Sequence, residues 1–306
     1  MARWDSSDEE EELKTAAAVE KESLLDLAKV NFDSTHLLFH YRSQYEELIN
    51  FSNHAFYEGK LYIAPNIEKN ENYKPIERIK VNGVWKNRQN LEEANEVVKL
   101  VKNILMERKE NETIEIITFN INQKDLIEDL LDEEARNDAV FEELYNKELY
   151  RRENEEDKSI FVKNIENAQG DERDIIIFSI GYAPDENGRL RFNFGDLPKE
   201  DGENKLNVTA SRAKKKTYLI TSIELEDLRV ENSKNKGPKL LKEYLKYVGA
   251  ISNGNENEAR EILYALSGIS SNSKSKCESL FDSIFEEEVS EKLESSSVIV
   301  ENSLEL

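Results

Sequence analysis

Ile175-Ile176-Ile177-Phe178-Ser179-Ile180 is the most apolar run in the chain, and Gln169-Gly170-Asp171-Glu172-Arg173-Asp174 stands immediately before it. A short run rich in β-branched residues, bounded by polar residues and glycine, reads as a strand buried on both faces. Such strands belong to parallel sheets covered by helices. Working outward, Thr113–Phe119 is a second isoleucine-rich strand, Ile160-Phe161-Val162 a third and Thr217–Thr221 a last one. Ala94, Val97, Val98, Val101 and Leu105 recur every three or four residues and predict a helix over 91–108. Further helices are expected at about Gln123–Leu131, through a charged stretch to about Glu156, and at Leu206–Lys215. Upstream, Leu37-Leu38-Phe39 reads as a buried strand, with Ser43 capping a helix from Gln44 to about Tyr57. The alternation of strand and helix predicts an α/β domain over residues 24–224, doubly wound on a mainly parallel sheet.

Composition narrows the class. The 306 residues carry 42 basic and 64 acidic side chains, a net charge of −22. That charge opposes wholesale wrapping of nucleic acid, because phosphate contacts need local cations, but it leaves room for a basic groove. No run approaches the 18 or so apolar residues of a membrane span. The single Cys277 cannot form an internal disulfide, and three histidines make a His-based metal site an unpromising reading. The acidic start lacks the pattern of a signal peptide, so a cytoplasmic protein is expected. Residues 1–23 read as an acidic arm and 225–270 as a helical extension and linker. Residues 271–306 read as the start of a further domain, an amphipathic helix bearing Leu280, Phe281, Ile284 and Phe285 followed by Val298-Ile299-Val300.

A phosphate loop of the form Gly, four residues, Gly-Lys-Ser/Thr is missing: Gly249 and Gly254 have the spacing, but Asn255-Glu256 follows. Four polar clusters nevertheless gather around the expected sheet. They are His40-Tyr41-Arg42-Ser43, Thr118 with Asn120 and Gln123, Gln169 to Asp174, and Asn207 to Lys214 with Arg212. Ligands of open α/β sheets bind at the C-terminal ends of the strands. Arg42 and Arg212 are therefore expected together at that edge, with Glu172 beside them.

In their order and spacing these clusters resemble the second RecA-like motor domain of superfamily 1B helicases, the ATP-driven helicases related to the nonsense-mediated decay helicase. The likeness covers about residues 24–224 and is nearest to large bacterial members. It implies that Tyr41 lies near the adenine and that Arg42 and Arg212 reach the γ-phosphate. Gly170 would border the nucleotide, and Glu172 would accept a bond from the ribose. Thr118, Asn120, Gln123 and Asn164 would contact the nucleic-acid backbone. Asn164 stands where the family often has Ser or Thr, Glu166 where it often has Asp, and Ser211 where Thr is usual.

The resemblance further implies ATP with magnesium, bound only together with a first motor domain that carries the phosphate loop. The chain is then expected to be a fragment, inactive alone, whose partners are that domain and single-stranded nucleic acid. Residues 281–289 resemble the first helix of a restriction-endonuclease-like domain, which favours DNA over RNA. Two rival readings are a non-catalytic module binding nucleic acid or a partner, and part of a nuclease. Two intact phosphate-directed arginines favour the motor, since a pure binder has no use for them.

Overall fold

The computed structural model describes residues 28, 32–33, 35, 37–64, 73–108, 110–167, 172–190, 194–195, 197–200 and 202–268. Gly170, the expected arm at 1–23 and the expected nuclease-like segment at 271–306 lie outside the described residues. The chain divides into two compact units, Met1–Phe39 and His40–Leu306, and the sheet belongs to the second.

Five strands build that sheet: β1 (Ile76–Lys80), β2 (Ile114–Thr118), β3 (Phe161–Asn164), β4 (Arg173–Ser179) and β5 (Ala213–Thr221). Their order across the sheet is β1-β5-β4-β2-β3, and every pairing is parallel. β4 is buried along nearly its whole length, as its isoleucine run requires. Its side chains alternate between two cores. Ile176 and Phe178 face one, and Ile175 and Ile177 face the other. Helices α2 (Leu91–Glu107), α3 (Ile121–Asn137) and α4 (Ala139–Leu149) contribute to the second core. Helices α1 (Glu47–Phe56), α5 (Gly202–Ala210), α6 (Gly237–Ser252) and α7 (Glu256–Ser267) contribute to the first. The doubly wound parallel architecture is thus as expected, with β2 leading outward to β3 while the chain returns past it to β4. That reversal puts the topological switch point between β2 and β4.

Local differences have physical causes. Leu37 and Phe39 were expected in a buried strand, yet they are 92% and 61% exposed, and the strand there covers only Phe39–His40. Helix α1 begins at Glu47 rather than Gln44, because the Gln44 N–H donates to the Lys214 carbonyl (2.8 Å) and is spent on the sheet. Ser43 therefore caps nothing; its Oγ donates to the Ala213 carbonyl at 3.1 Å. The helix expected at Leu206–Lys215 ends at Ala210, and Lys214-Lys215-Lys216 is strand. Pairing with β4 overrides the polar sequence there, and Lys216 lays its ammonium over the Tyr73 and Tyr218 rings at 5.3 and 4.8 Å.

Candidate functional site

Two groups of polar side chains occupy opposite ends of β4 and β5. The first is at their N-terminal ends, which corrects the expected placement of Arg42 and Arg212 at the C-terminal edge. Glu172 immediately precedes β4 and Arg212 immediately precedes β5, and the next residues, Arg173 and Ala213, are register partners. The segment His40–Gln44 is held alongside by the bonds of Ser43 and Gln44 to β5. Arg42 then pairs through Nε with Oε1 of Glu172, and Lys214 Nζ lies 3.6 Å from Oε2 of the same carboxylate. Arg42 and Glu172 are each about a third exposed, whereas Arg212 is buried. Tyr41 is 81% exposed and stands out beside them. Arg42 and Lys214 thus share the Glu172 carboxylate, with Arg212 at the start of the adjoining strand.

His40 braces the corner. Its Nε2 accepts the Ser43 N–H at 3.1 Å, so the proton of the neutral ring is assigned to Nδ1. Burial, and then the Arg42 guanidinium, hold the imidazole below its ordinary pKa, while Glu172 pulls weakly the other way. The brace therefore adds no charge to the corner at neutral pH.

The second group lies at the C-terminal edge, around the switch point. Thr118 ends β2 and Asn164 ends β3, and the two are register partners. Thr118 Oγ1 donates to the Asn120 carbonyl at 3.0 Å. The Asn120 side chain caps α3 by accepting the Gln123 N–H at 2.9 Å. Among the described residues Asn120 Nδ2 and Asn164 Oδ1 are buried without a hydrogen-bond partner, one donor and one acceptor at the same edge. Each such orphan costs about 1–3 kcal/mol, so a packed fold carries few of them. Gln123 differs: it is fully buried, and its amide is committed inward. Oε1 accepts the Asn90 N–H (2.8 Å), and Nε2 donates to the Asn90 carbonyl (3.0 Å) and to Ser179 Oγ (3.2 Å).

Glu93, at the centre of this edge, is not among the residues the sequence singles out. Glu93 is fully buried, and among the described residues no cation pairs with it. Its carboxylate accepts from Asn90 Nδ2 (3.1 Å), Ser179 Oγ (3.0 Å), Gly181 N–H (2.7 Å) and Ser222 N–H (2.7 Å). Burial still prevails over these donors and pushes its pKa up to about 7. Gly181 is required here. Its φ is +74°, and a Cβ would sit 3.0 Å from Gln123 Cγ and 3.3 Å from Asn120 Nδ2. One signal was available in the sequence: Glu93 stands four residues before Val97 and eight before Val101, a carboxylate on the apolar stripe.

Comparison with known proteins bears on what such a domain does. The family model described as AAA domain matches residues 20–224. An uncharacterized ATP-dependent helicase of Mycoplasma genitalium is 36% identical over 266 residues, 86% of this chain and 22% of that protein. Its homologue in Mycoplasma pneumoniae is 36% identical over 259 residues, 84% of this chain and 22% of that protein. The chain thus spans about a fifth of the length of these relatives. A crystal structure of the C-terminal domain of a possible DNA helicase from Lactobacillus plantarum is 18% identical, with a TM-score of 0.33. That match covers 59% of this chain and 86% of the other.

Proposed function

Because the chain belongs to the AAA domain family across residues 20–224, we propose that it works as the second motor domain of an ATP-dependent helicase. The observation that carries this reading is the basic corner: Arg42 and Lys214 gathered on Glu172, with Arg212 at the start of the adjoining strand. A nucleoside triphosphate is a polyanion with a flat base, and the corner offers guanidinium groups beside the exposed Tyr41 ring. Arg42 and Arg212 would meet the γ-phosphoryl oxygens from outside, where charge spreads during phosphoryl transfer. Glu172 would accept from the ribose hydroxyl, and Gly170 would border the nucleotide. Tyr41 would lie along the adenine.

Magnesium does not fit this corner. Among the described residues no three His, Cys, Asp or Glu side chains gather as a metal site. A lone carboxylate already held by two cations is a poor ligand for a hard dication. The reading leaves the metal and the phosphate loop to the first motor domain, and this chain supplies arginines that act when the cleft closes.

The half-buried Asn120 would lead the edge that meets single-stranded nucleic acid, with the buried Thr118, Asn164 and Gln123 behind it as a brace. The buried, unpaired Nδ2 of Asn120 and Oδ1 of Asn164 would find partners there if the edge opens slightly, since a strand's phosphates and sugars bring both acceptors and donors. DNA is favoured over RNA on the sequence of residues 281–289. A cytoplasmic location belongs to the same reading; no helix among the described residues is long and apolar enough to cross a membrane.

The test is steady-state ATP hydrolysis in the longer protein in which this domain works. Arg212→Ala should lower turnover by about 10³- to 10⁵-fold, the scale of an arginine finger, and leave nucleotide affinity largely intact. Turnover within about threefold of the parent, far below that scale, would remove the basis for the motor reading.

A further inference from the structure

Residues 85–89 form a two-residue hairpin that the nucleotide corner and the Asn120–Asn164 edge leave unused. Lys86 and Gln89 exchange backbone hydrogen bonds at 3.0 and 2.9 Å, and Asn87 and Arg88 turn the chain between them. Both turn residues have positive φ, +54° and +64°. A two-residue turn of this kind strongly prefers Asn followed by Gly, because glycine adopts the second conformation without strain. Here Asn87 is in place, but the second position is Arg88.

The fold gains nothing visible from that arginine. Arg88 is exposed, and among the described residues it has neither a hydrogen bond nor an ion pair, whereas Lys86 is engaged with Glu186 at 2.9 Å. Nor does the turn geometry call for a cation. The hairpin at Arg152–Asp157 turns through Asn154 and Glu155, also at positive φ, with an acidic side chain in the equivalent place. That second hairpin is tied to the start of β4, where Arg173 donates to the Asp157 carbonyl at 3.2 Å, so it belongs to the other edge.

The 85–89 hairpin, in contrast, is fixed to the C-terminal edge at three points. Gln89 Nε2 donates to the Asn122 carbonyl at 3.1 Å, within the turn that carries Asn120. The Trp85 N–H donates to the Pro184 carbonyl at 3.1 Å, and the Trp85 ring stacks on Tyr182 at 4.6 Å. Asn90, next in sequence, is clamped by Gln123. A strained, rigidly anchored turn thus presents an uncommitted guanidinium beside the edge proposed to meet nucleic acid. The turn conformation alone does not distinguish this hairpin from the one at Arg152–Asp157; the exposed guanidinium at this edge, unpaired among the described residues, does.

We propose that Arg88 is a further phosphate-contacting residue, and that the single-strand track runs from the Asn120–Asn164 edge onto the 85–89 hairpin. The inference rests on the nucleic-acid reading of that edge. One phosphate contact on a single strand adds about 0.7 to the slope of log affinity against log salt. Between 1 M and 0.1 M salt that slope is worth about fivefold in affinity.

The experiment titrates the 306-residue chain with fluorescein-labelled oligothymidine from about 0.05 to 1 M salt, comparing the parent with Arg88→Gly and Arg88→Lys. Arg88→Gly should bind about fivefold more weakly near 0.1 M salt, have a slope shallower by about 0.7, and converge with the parent near 1 M. The same variant should raise the denaturant midpoint, since glycine relieves the turn. Arg88→Lys should keep most of the salt slope. Unchanged affinity and slope in Arg88→Gly, with a parent that binds, would overturn this inference and leave the helicase reading standing. A midpoint and an affinity that fall together would mark Arg88 as structural and also overturn it. A parent that fails to bind at any salt would overturn the strand-binding edge, and this inference with it.

Discussion

Gln123 offers the sharpest test of how the C-terminal edge is built. Its side chain is fully buried and makes three hydrogen bonds, two of them to the backbone of Asn90. In Gln123→Ala the Asn90 carbonyl would keep its helical partner, the Ala94 N–H at 3.1 Å. Ser179 Oγ would still donate to Glu93. The Asn90 N–H would keep nothing, and an orphaned buried amide costs about 1–3 kcal/mol. Losing the packed side chain adds on the order of 1 kcal/mol. The expected destabilisation is therefore about 2–4 kcal/mol. Gln123→Glu should be at least as damaging, because a second carboxylate oxygen would face the Asn90 carbonyl where an N–H now donates. Urea unfolding followed by tryptophan fluorescence is the assay, and Trp85 lies close enough to report on the site. If both variants unfold within about 0.5 kcal/mol of the parent, the range of ordinary surface substitutions, the brace does not exist. Gln123 would then be free to touch a strand directly.

Other expectations concern charge. Burial raises the folded-state pKa of Glu93 to about 7 from an ordinary 4.5. The neutral acid is the better-tolerated form, so the contribution of Glu93 to stability is greatest below pH 4.5 and is lost as pH rises through 7. The loss is about 3–4 kcal/mol at about 1.4 kcal/mol per pKa unit, and Glu93→Gln should remove that component from a pH series of denaturant midpoints. Glu172→Gln should change stability by less than about 1 kcal/mol, as for a partly exposed ion pair, yet raise KM for ATP in the longer protein if the carboxylate holds the ribose. Oligothymidine should bind the 306-residue chain weakly, at about 10⁻⁴ to 10⁻⁶ M near physiological salt, which fluorescence anisotropy would measure; nanomolar binding would favour a dedicated binding module.

Much of the fold was legible because its strands are isolated isoleucine runs. Ile175 to Ile180 could only be buried, and the helix over 91–108 declares itself in its stripe of valines. Other features were illegible because their partners are distant in sequence. Ser43 reads as a cap until its acceptor proves to be Ala213, 170 residues away. Lys214-Lys215-Lys216 reads as a solvated helix end, and only pairing with β4 makes it a strand. The placement of the arginine corner was partly readable and was misread. Glu172 precedes its strand, which already puts it at the strand's beginning, but the expected helix through Arg212 hid the same inference for β5. Glu93 lies at the start of α2, and nothing near it in sequence shows where its carboxylate goes. It reaches across to Gly181 and Ser222, contacts that no local pattern encodes.

The positions of the two groups constrain how they can communicate. β4 spans seven residues between Glu172 at one end and the Ser179–Gly181 turn at the other, roughly 20 Å at about 3.3 Å per residue. It is paired on both sides and packed above and below, so it can neither lengthen nor slide without breaking a ladder and two cores. Glu93 ties the far end of β4 to β5 and α2 through four hydrogen bonds, which makes the C-terminal edge rigid as well. If a phosphate engages Arg42 or Arg212 as proposed, any displacement it imposes would carry the whole sheet with it. On the proposed reading, the coupling this architecture favours is rigid-body movement of the domain, in which a small shift at the basic corner would become a translation of the opposite edge against a strand held there.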